Sequence, residues 1–197
     1  MGFHNLYKFG INVKNCIKVG HIVISNREYS GRSYVYHKKA LELIYDSKFP
    51  SELISKHLSL IYIFTVNGII HKIGQSSAKN GISGCMSFYL KSGQDDPGIN
   101  RFSINIFIRD EISKGNKVEV YMVYMDLIRV EVPGLFKNEI VEVPISAKGM
   151  EELFMKQYYT KVNRYPVWNY QENGEALPSK VAESFGEYKI KRARGRG

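Results

Sequence analysis

Tyr62 and Lys72 flank the dipeptide Asn67-Gly68 in the stretch Leu60-Ile-Tyr-Ile-Phe-Thr-Val-Asn-Gly-Ile-Ile-His-Lys-Ile-Gly-Gln75. Asn-Gly readily takes the positive φ angles of a tight hairpin turn. The β-branched and aromatic runs around it therefore read as two paired antiparallel strands. Alternation puts Tyr62, Phe64 and Val66 on one face, and Ile61, Ile63 and Thr65 on the other. A phenol and an amine held close on a rigid ribbon, roughly across from each other, affect each other's protonation and can share acid–base work. The structural alternative makes Tyr62 a core or rim aromatic and Lys72 a solvated strand lysine. Glu151 and Glu152 sit near the start of a later helix, where the helix dipole alone favours a carboxylate. Other groups point to less chemistry. Asp95 and Asp96 stand beside Pro97-Gly98, the chemistry of a loop. His4, His21, His37, His57 and His71 share no ligand spacing, and Cys16 and Cys85 make neither a metal pattern nor a disulfide framework. Residues 76–84 lack the Gly-Lys-Ser/Thr ending of a nucleotide-hydrolase phosphate loop.

The elements that must carry these residues follow from periodicity. A strand is predicted over 19–25. An amphipathic helix is predicted over 33–45, with Tyr36, Ala40, Leu43 and Ile44 on one side and His37, Lys38 and Lys39 together on a solvated face. Pro50 opens a shorter helical run to His57. After the hairpin, a polar connection over 76–84 leads to a short helix at 85–90 and a turn at 94–98. Residues 99–114 read as a helix that buries Phe102, Ile106, Ile108 and Ile112 and stops at Gly115-Asn116. A long strand is predicted over 118–130, broken at Pro133-Gly134, with an irregular or short-strand excursion over 135–145. Met150, Leu153, Phe154 and Tyr158 recur at helical spacing and predict a helix over 147–161. The stretch 165–174, with the single tryptophan, reads as a packed, hydrogen-bonded turn. The basic tail 189–196 is expected to be disordered on its own and suited to non-specific phosphate contact.

Composition limits the partners. The chain has 197 residues, 44% of them hydrophobic, enough for one sizeable core, and a net charge of +9. That excess favours a polyanion, with nucleic acid ahead of an anionic membrane surface. No run is long and apolar enough to span a bilayer and the N-terminus lacks the apolar segment of a signal peptide, so a soluble, reduced, cytoplasmic setting is expected.

Taken in order, these motifs resemble the GIY-YIG endonucleases, and most closely the compact type II restriction enzymes of that superfamily. Leu60-Ile61-Tyr62 resembles the first family motif and Lys72-Ile73-Gly74 the second, with Lys72 in place of its tyrosine. Glu151 on a later helix and Pro166-Val-Trp-Asn169 resemble the family's ending, and the likeness covers roughly residues 58–173. The resemblance implies an α+β fold, a small central antiparallel β-sheet flanked by helices. It divides the chain into an N-terminal extension (1–57) for dimerisation or DNA contact, a nuclease core (58–175) and a basic tail (176–197). It implies hydrolysis of phosphodiester bonds in double-stranded DNA, with Tyr62 as general base and Lys72 lowering its pKa. Glu151 would hold a divalent cation, Mg²⁺ or another such as Mn²⁺. Gln75 would orient a water or the phenol, and Asn169 would brace the site.

One departure stands out. The family places an arginine on the helix after the second motif, and here Gly84 takes that position. Arg101 is the first candidate to replace it and Lys79 the second. Cutting both strands of a symmetric site implies a homodimer. The alternatives are a catalytically impaired DNA-binding module of the same fold and a repair or mobile-element nuclease. The short chain leaves little room for the separate DNA-binding domain of the latter.

Overall fold

Asn67 and Gly68 adopt φ angles of 49° and 79°, the paired positive values of a two-residue hairpin turn. They join β3 (Ser59–Val66) to β4 (Ile69–Ser76). The Asn67 side chain also accepts from the Lys117 N–H at 2.9 Å and donates to Asn116 at 2.9 Å, tying the turn to the start of the neighbouring strand. The computed structural model describes residues 16–28, 37–91, 97–125, 128–143 and 145–194. Around the hairpin it adds β1 (Cys16–Glu28), β2 (Lys39–Tyr45) and β5 (Val118–Met125), giving a five-stranded antiparallel sheet in the order β2-β1-β5-β3-β4. β6 (Ile128–Pro133) and β7 (Asn138–Val143) form a separate two-stranded sheet. Four α-helices complete the described residues: α1 (Gly81–Leu90), α2 (Ile99–Ser113), α3 (Ala147–Val162) and α4 (Ser179–Arg194). The fold is α+β, a central antiparallel sheet flanked by helices. No described helix is long and apolar enough to cross a membrane.

Strand alternation divides the core in two. Leu60, Tyr62, Phe64 and Val66 pack with Ile82, Cys85 and Met86 of α1, with Ile104 and Ile108 of α2, and with Trp168. Ile61, Ile63, Ile70 and Ile73 face the other way, onto Met150 and Met155 of α3. α4 seats Val181 and Tyr188 on Phe102 and Ile106 of α2.

Four expectations need correction. Residues 39–45 form a strand and not a helix: pairing with β1 and burial of Ala40 and Leu41 override the helix propensity of Ala, Leu, Glu and Lys. Residues 33–36 of that predicted helix, and 94–96 of the predicted turn, lie outside the described residues. The long strand over 118–130 is two strands in different sheets, and 138–143 pairs back on the second. The basic tail is helical through Arg194, because Val181, Phe185 and Tyr188 line one face and find α2 to pack on. In α3, Leu153 is 52% exposed and Met155 takes the core position instead. The N-terminal section supplies β1 and β2, so it is continuous with the central sheet.

β4 is an edge strand, and its outward backbone groups are met by the segment after α3. The Trp168 N–H donates to the His71 carbonyl at 2.7 Å. The Asn169 side chain accepts from the Ile73 N–H at 3.0 Å and donates to the Ile73 carbonyl at 3.1 Å, as a neighbouring strand would. Asn169 is 1% exposed. Asn169→Ala strands both Ile73 groups and should cost roughly 2–3 kcal/mol. Urea unfolding checks this, and a loss under about 0.5 kcal/mol would mean that water replaces the amide.

Candidate active site

The ring of Tyr62 lies over Gly74, its register partner on β4. A Cβ on Gly74 would stand 2.2 Å from the Tyr62 hydroxyl oxygen, so only glycine fits beneath the phenol. Tyr62 is 4% exposed, and its hydroxyl makes a short hydrogen bond with the hydroxyl of Tyr89 on α1. Burial pushes the Tyr62 phenol well above its ordinary pKa, and the neighbouring Tyr89 and Cys85 push the same way. This reverses the expected depression by Lys72. Lys72 is paired with Phe64, two residues along from Tyr62 on the same face. Burial lowers the pKa of its amine, and Glu172 and Glu151 work against that.

Glu151 reaches the edge of β4 from the first turns of α3, which begins at the Ser146 cap. Its carboxylate accepts the backbone N–H of Gln75. Burial raises its pKa above the usual carboxylate range, Lys72 opposes the rise and Glu172 adds to it. The Gln75 side chain is exposed and in register with Ile61, so it lies on the α3 face, opposite the Tyr62 ring. What Gln75 gives the site is its N–H.

A cleft of about 220 Å³ opens on the Tyr62 side, lined by Lys72, Tyr89, Arg101, Trp168 and Glu172 among others. Arg101 is held there with its guanidinium carbon 4.4 Å from the centroid of the Phe88 ring. Lys79 is exposed in the turn before α1 and is not among the residues of the cleft. Gly84 faces Asn80 and Ala78, with room for a Cβ only at close contact.

Sequence reasoning passed over two residues of this constellation. Tyr89 stands four residues after Cys85 on α1, so both face Tyr62, a helical spacing that could have been read. Glu172 stands three residues after Asn169, whose amide donates to it at 3.2 Å. It lines the cleft and also the groove that contains Glu151, so it links the two. Among the described residues no group of three or more His, Cys, Asp or Glu side chains is placed to hold a metal ion. A half-buried Glu151 with Glu172 nearby suits a hard divalent cation that keeps water and takes further oxygens from a phosphate. It does not make a closed cage.

The sequence matches no protein-family model and no curated protein. Among solved structures the chain is similar to a mutant of bacteriophage T4 EndoII, at 15% identity and a TM-score of 0.46, over 84% of this chain and 98% of that one. It is also similar to the restriction endonuclease HPY188I in complex with product DNA, at 16% identity and a TM-score of 0.42, over 84% of this chain and 85% of that one.

Two predictions follow from the packed phenols. Gly74→Ala should drive the Tyr62 ring off β4 and break its bond to Tyr89, visible as a changed near-ultraviolet tyrosine signal in a folded protein. An unchanged signal would show that the strand shifts instead. Separately, burial lifts the Cys85 thiol from 9.0 and the Tyr89 phenol from 10.0, each to about 12. The folded chain keeps these protons while the unfolded chain releases them, so stability is whole below pH 9 and falls as pH rises from 9 toward 12. The slope is about 1.4 kcal/mol per pH unit for each fully buried group. A urea midpoint unchanged at about pH 11 would contradict this.

Proposed function

We propose that this chain is a divalent-metal-dependent endonuclease that hydrolyses phosphodiester bonds in double-stranded DNA, acting as a type II restriction enzyme and as a homodimer. The observation that carries the reading is convergence. Tyr62 and Lys72 of the hairpin meet Glu151 and Asn169, which come much later in the chain, around β4 and beside a cleft that also holds Arg101.

In this reading Tyr62 accepts the proton of the attacking water. Tyr62 must first release its own hydroxyl proton to solvent, leaving a phenolate to which the Tyr89 hydroxyl donates. This ionisation is favoured only as positive charge gathers on that side of the sheet. Lys72 and Arg101 supply such charge from the chain, and both line the cleft together with Tyr89. Arg101 contacts the scissile phosphate in place of the arginine absent at position 84. Glu151 holds the cation, with its side chain fixed by the Gln75 N–H. When bound, that cation stabilises the charge developing on the phosphate and on the leaving 3′ oxygen. Asn169 keeps β4 and the turn bearing Glu172 in place.

A second reading rests on the burial of Tyr62 and the missing arginine: a DNA-binding module with an impaired nuclease site. The two differ in one assay. Purified protein is incubated with plasmid and phage DNA, with Mg²⁺ or with EDTA, beside Glu151→Ala and Arg101→Ala, and any ends are sequenced. The nuclease gives discrete fragments with Mg²⁺ alone. Glu151→Ala and Arg101→Ala each lower the rate by about 100-fold or more. Cutting that survives Arg101→Ala removes Arg101 from the mechanism. Salt-sensitive DNA retention without cutting under any divalent metal would establish the binding module.

A further inference from the structure

The β6–β7 hairpin is built unlike the rest of the molecule. Its ladder runs from Ile128 opposite Val143 to Pro133 opposite Asn138. Register places Ile128, Val130, Val132, Val141 and Val143 on one face, with Glu139 opposite Val132 at the turn end, and Ile140 on the other face opposite Glu131. None of these residues belongs to the three buried apolar clusters of the described chain. At the turn, Leu135 and Phe136 are 90% and 95% exposed, and Ile140 is 74% exposed. The turn is nonetheless tightly made: the Gly134 N–H donates to the Lys137 carbonyl at 3.1 Å, and a Cβ at Gly134 would meet that oxygen at 2.4 Å. A two-stranded ribbon with one apolar face gains little stability by itself. Two adjacent large apolar side chains held in water on a defined turn mark a contact surface.

Charge selects the occupant. The hairpin carries Arg129 and Lys137 against Glu131, Glu139 and Glu142, a net charge of −1 in a chain of net charge +9. Arg129 pairs with Glu142 at 3.0 Å, which leaves Glu131 and Glu139 to face a partner. Carboxylates on both strands disfavour a phosphate backbone. They suit the strongly basic body of another molecule of this protein. We propose that the β6–β7 hairpin is a dimerisation arm, its Leu135-Phe136 tip and apolar face packing on a second copy of the chain. In a two-fold dimer each copy offers one acidic arm and one basic body, so the contact is made twice. The arm is the surface behind the homodimer of the proposed function, and its test needs neither DNA nor metal, so it fails separately from the nuclease.

The test is sedimentation equilibrium and light scattering of the purified full-length chain across a micromolar concentration series. The wild type forms dimers. Leu135→Ser combined with Phe136→Ser weakens the dimer by about tenfold or more, with an unchanged melting temperature for the monomer, since the tip carries no core contact. Glu131→Lys combined with Glu139→Lys weakens it too, by removing the charge match while the Arg129–Glu142 pair within the arm stays intact. A wild type that stays monomeric throughout the series overturns the proposal. So does a dimer that both double variants leave intact. A monomeric wild type whose DNA retention is lost in the Leu135→Ser, Phe136→Ser variant would assign the tip to DNA instead.

Discussion

The open edge of β4 sets the terms for everything built beside it. Backbone N–H and C=O groups on an edge strand must find partners other than a next strand, or they invite one from another chain. Here the outward groups of His71, Ile73 and Gln75 are taken in turn by the Trp168 backbone, the Asn169 amide and the Glu151 carboxylate. Two of those partners come from the turn after α3 and one from α3 itself. The groups that close the sheet thus also bring Glu151 and Glu172 to the strand edge, near enough to Lys72 to act on its charge. Stability and site geometry share the same hydrogen bonds.

The second constraint is burial. Tyr62 can lie flat against the sheet only because Gly74 has no side chain. The same packing withdraws its hydroxyl from water and leaves Tyr89 as its partner. Lys72 and Glu151 are drawn partly out of water as well. Burial shifts the first down and the second up, and each moderates the shift of the other. A cation and a carboxylate that are each desolvated and only partly compensated weaken the fold relative to apolar residues of similar size. That cost is intelligible where a charged ligand completes the balance, and it is hard to account for in a purely structural edge.

Much of this was legible in the sequence, for stated reasons. Asn67-Gly68 and the alternating runs beside it named the hairpin, and the alternation assigned the faces of residues 60–66 correctly. The same rule of two, applied along 72–75, would have separated Lys72 from Gln75. Carried across the turn it would have misplaced Lys72, because the register shifts by one residue between Ile70 and Lys72. The helix expected over 33–45 failed where it could be compared because helix-forming residues were pulled into a sheet by β1, a partner that local pattern cannot reveal. The tail departs from the expected disorder because Val181, Phe185 and Tyr188 recur at helical spacing and α2 offers Phe102 and Ile106 to bury them, a partner that the tail's charge pattern does not reveal. Glu172 was beyond reach, since its place depends on how the Asn169 turn folds back on β4.

In the proposed site the arginine absent at position 84 is replaced through its neighbours. α1 carries Phe88 one turn beyond Gly84, on the same side of the helix. The Phe88 ring seats the guanidinium of Arg101, which α2 brings in from its first turn. A helix face with no cation of its own therefore acquires one, fixed by a cation–π contact and by the packing of Ile104 and Ile108 into the core. In the proposed role arginine suits better than lysine, because its planar guanidinium can lie against a ring and still present several donors to a phosphate. The positive charge that the proposed chemistry requires in the cleft thus depends on the junction of two helices. A change at Phe88, which is half exposed, would remove the ring against which that guanidinium lies.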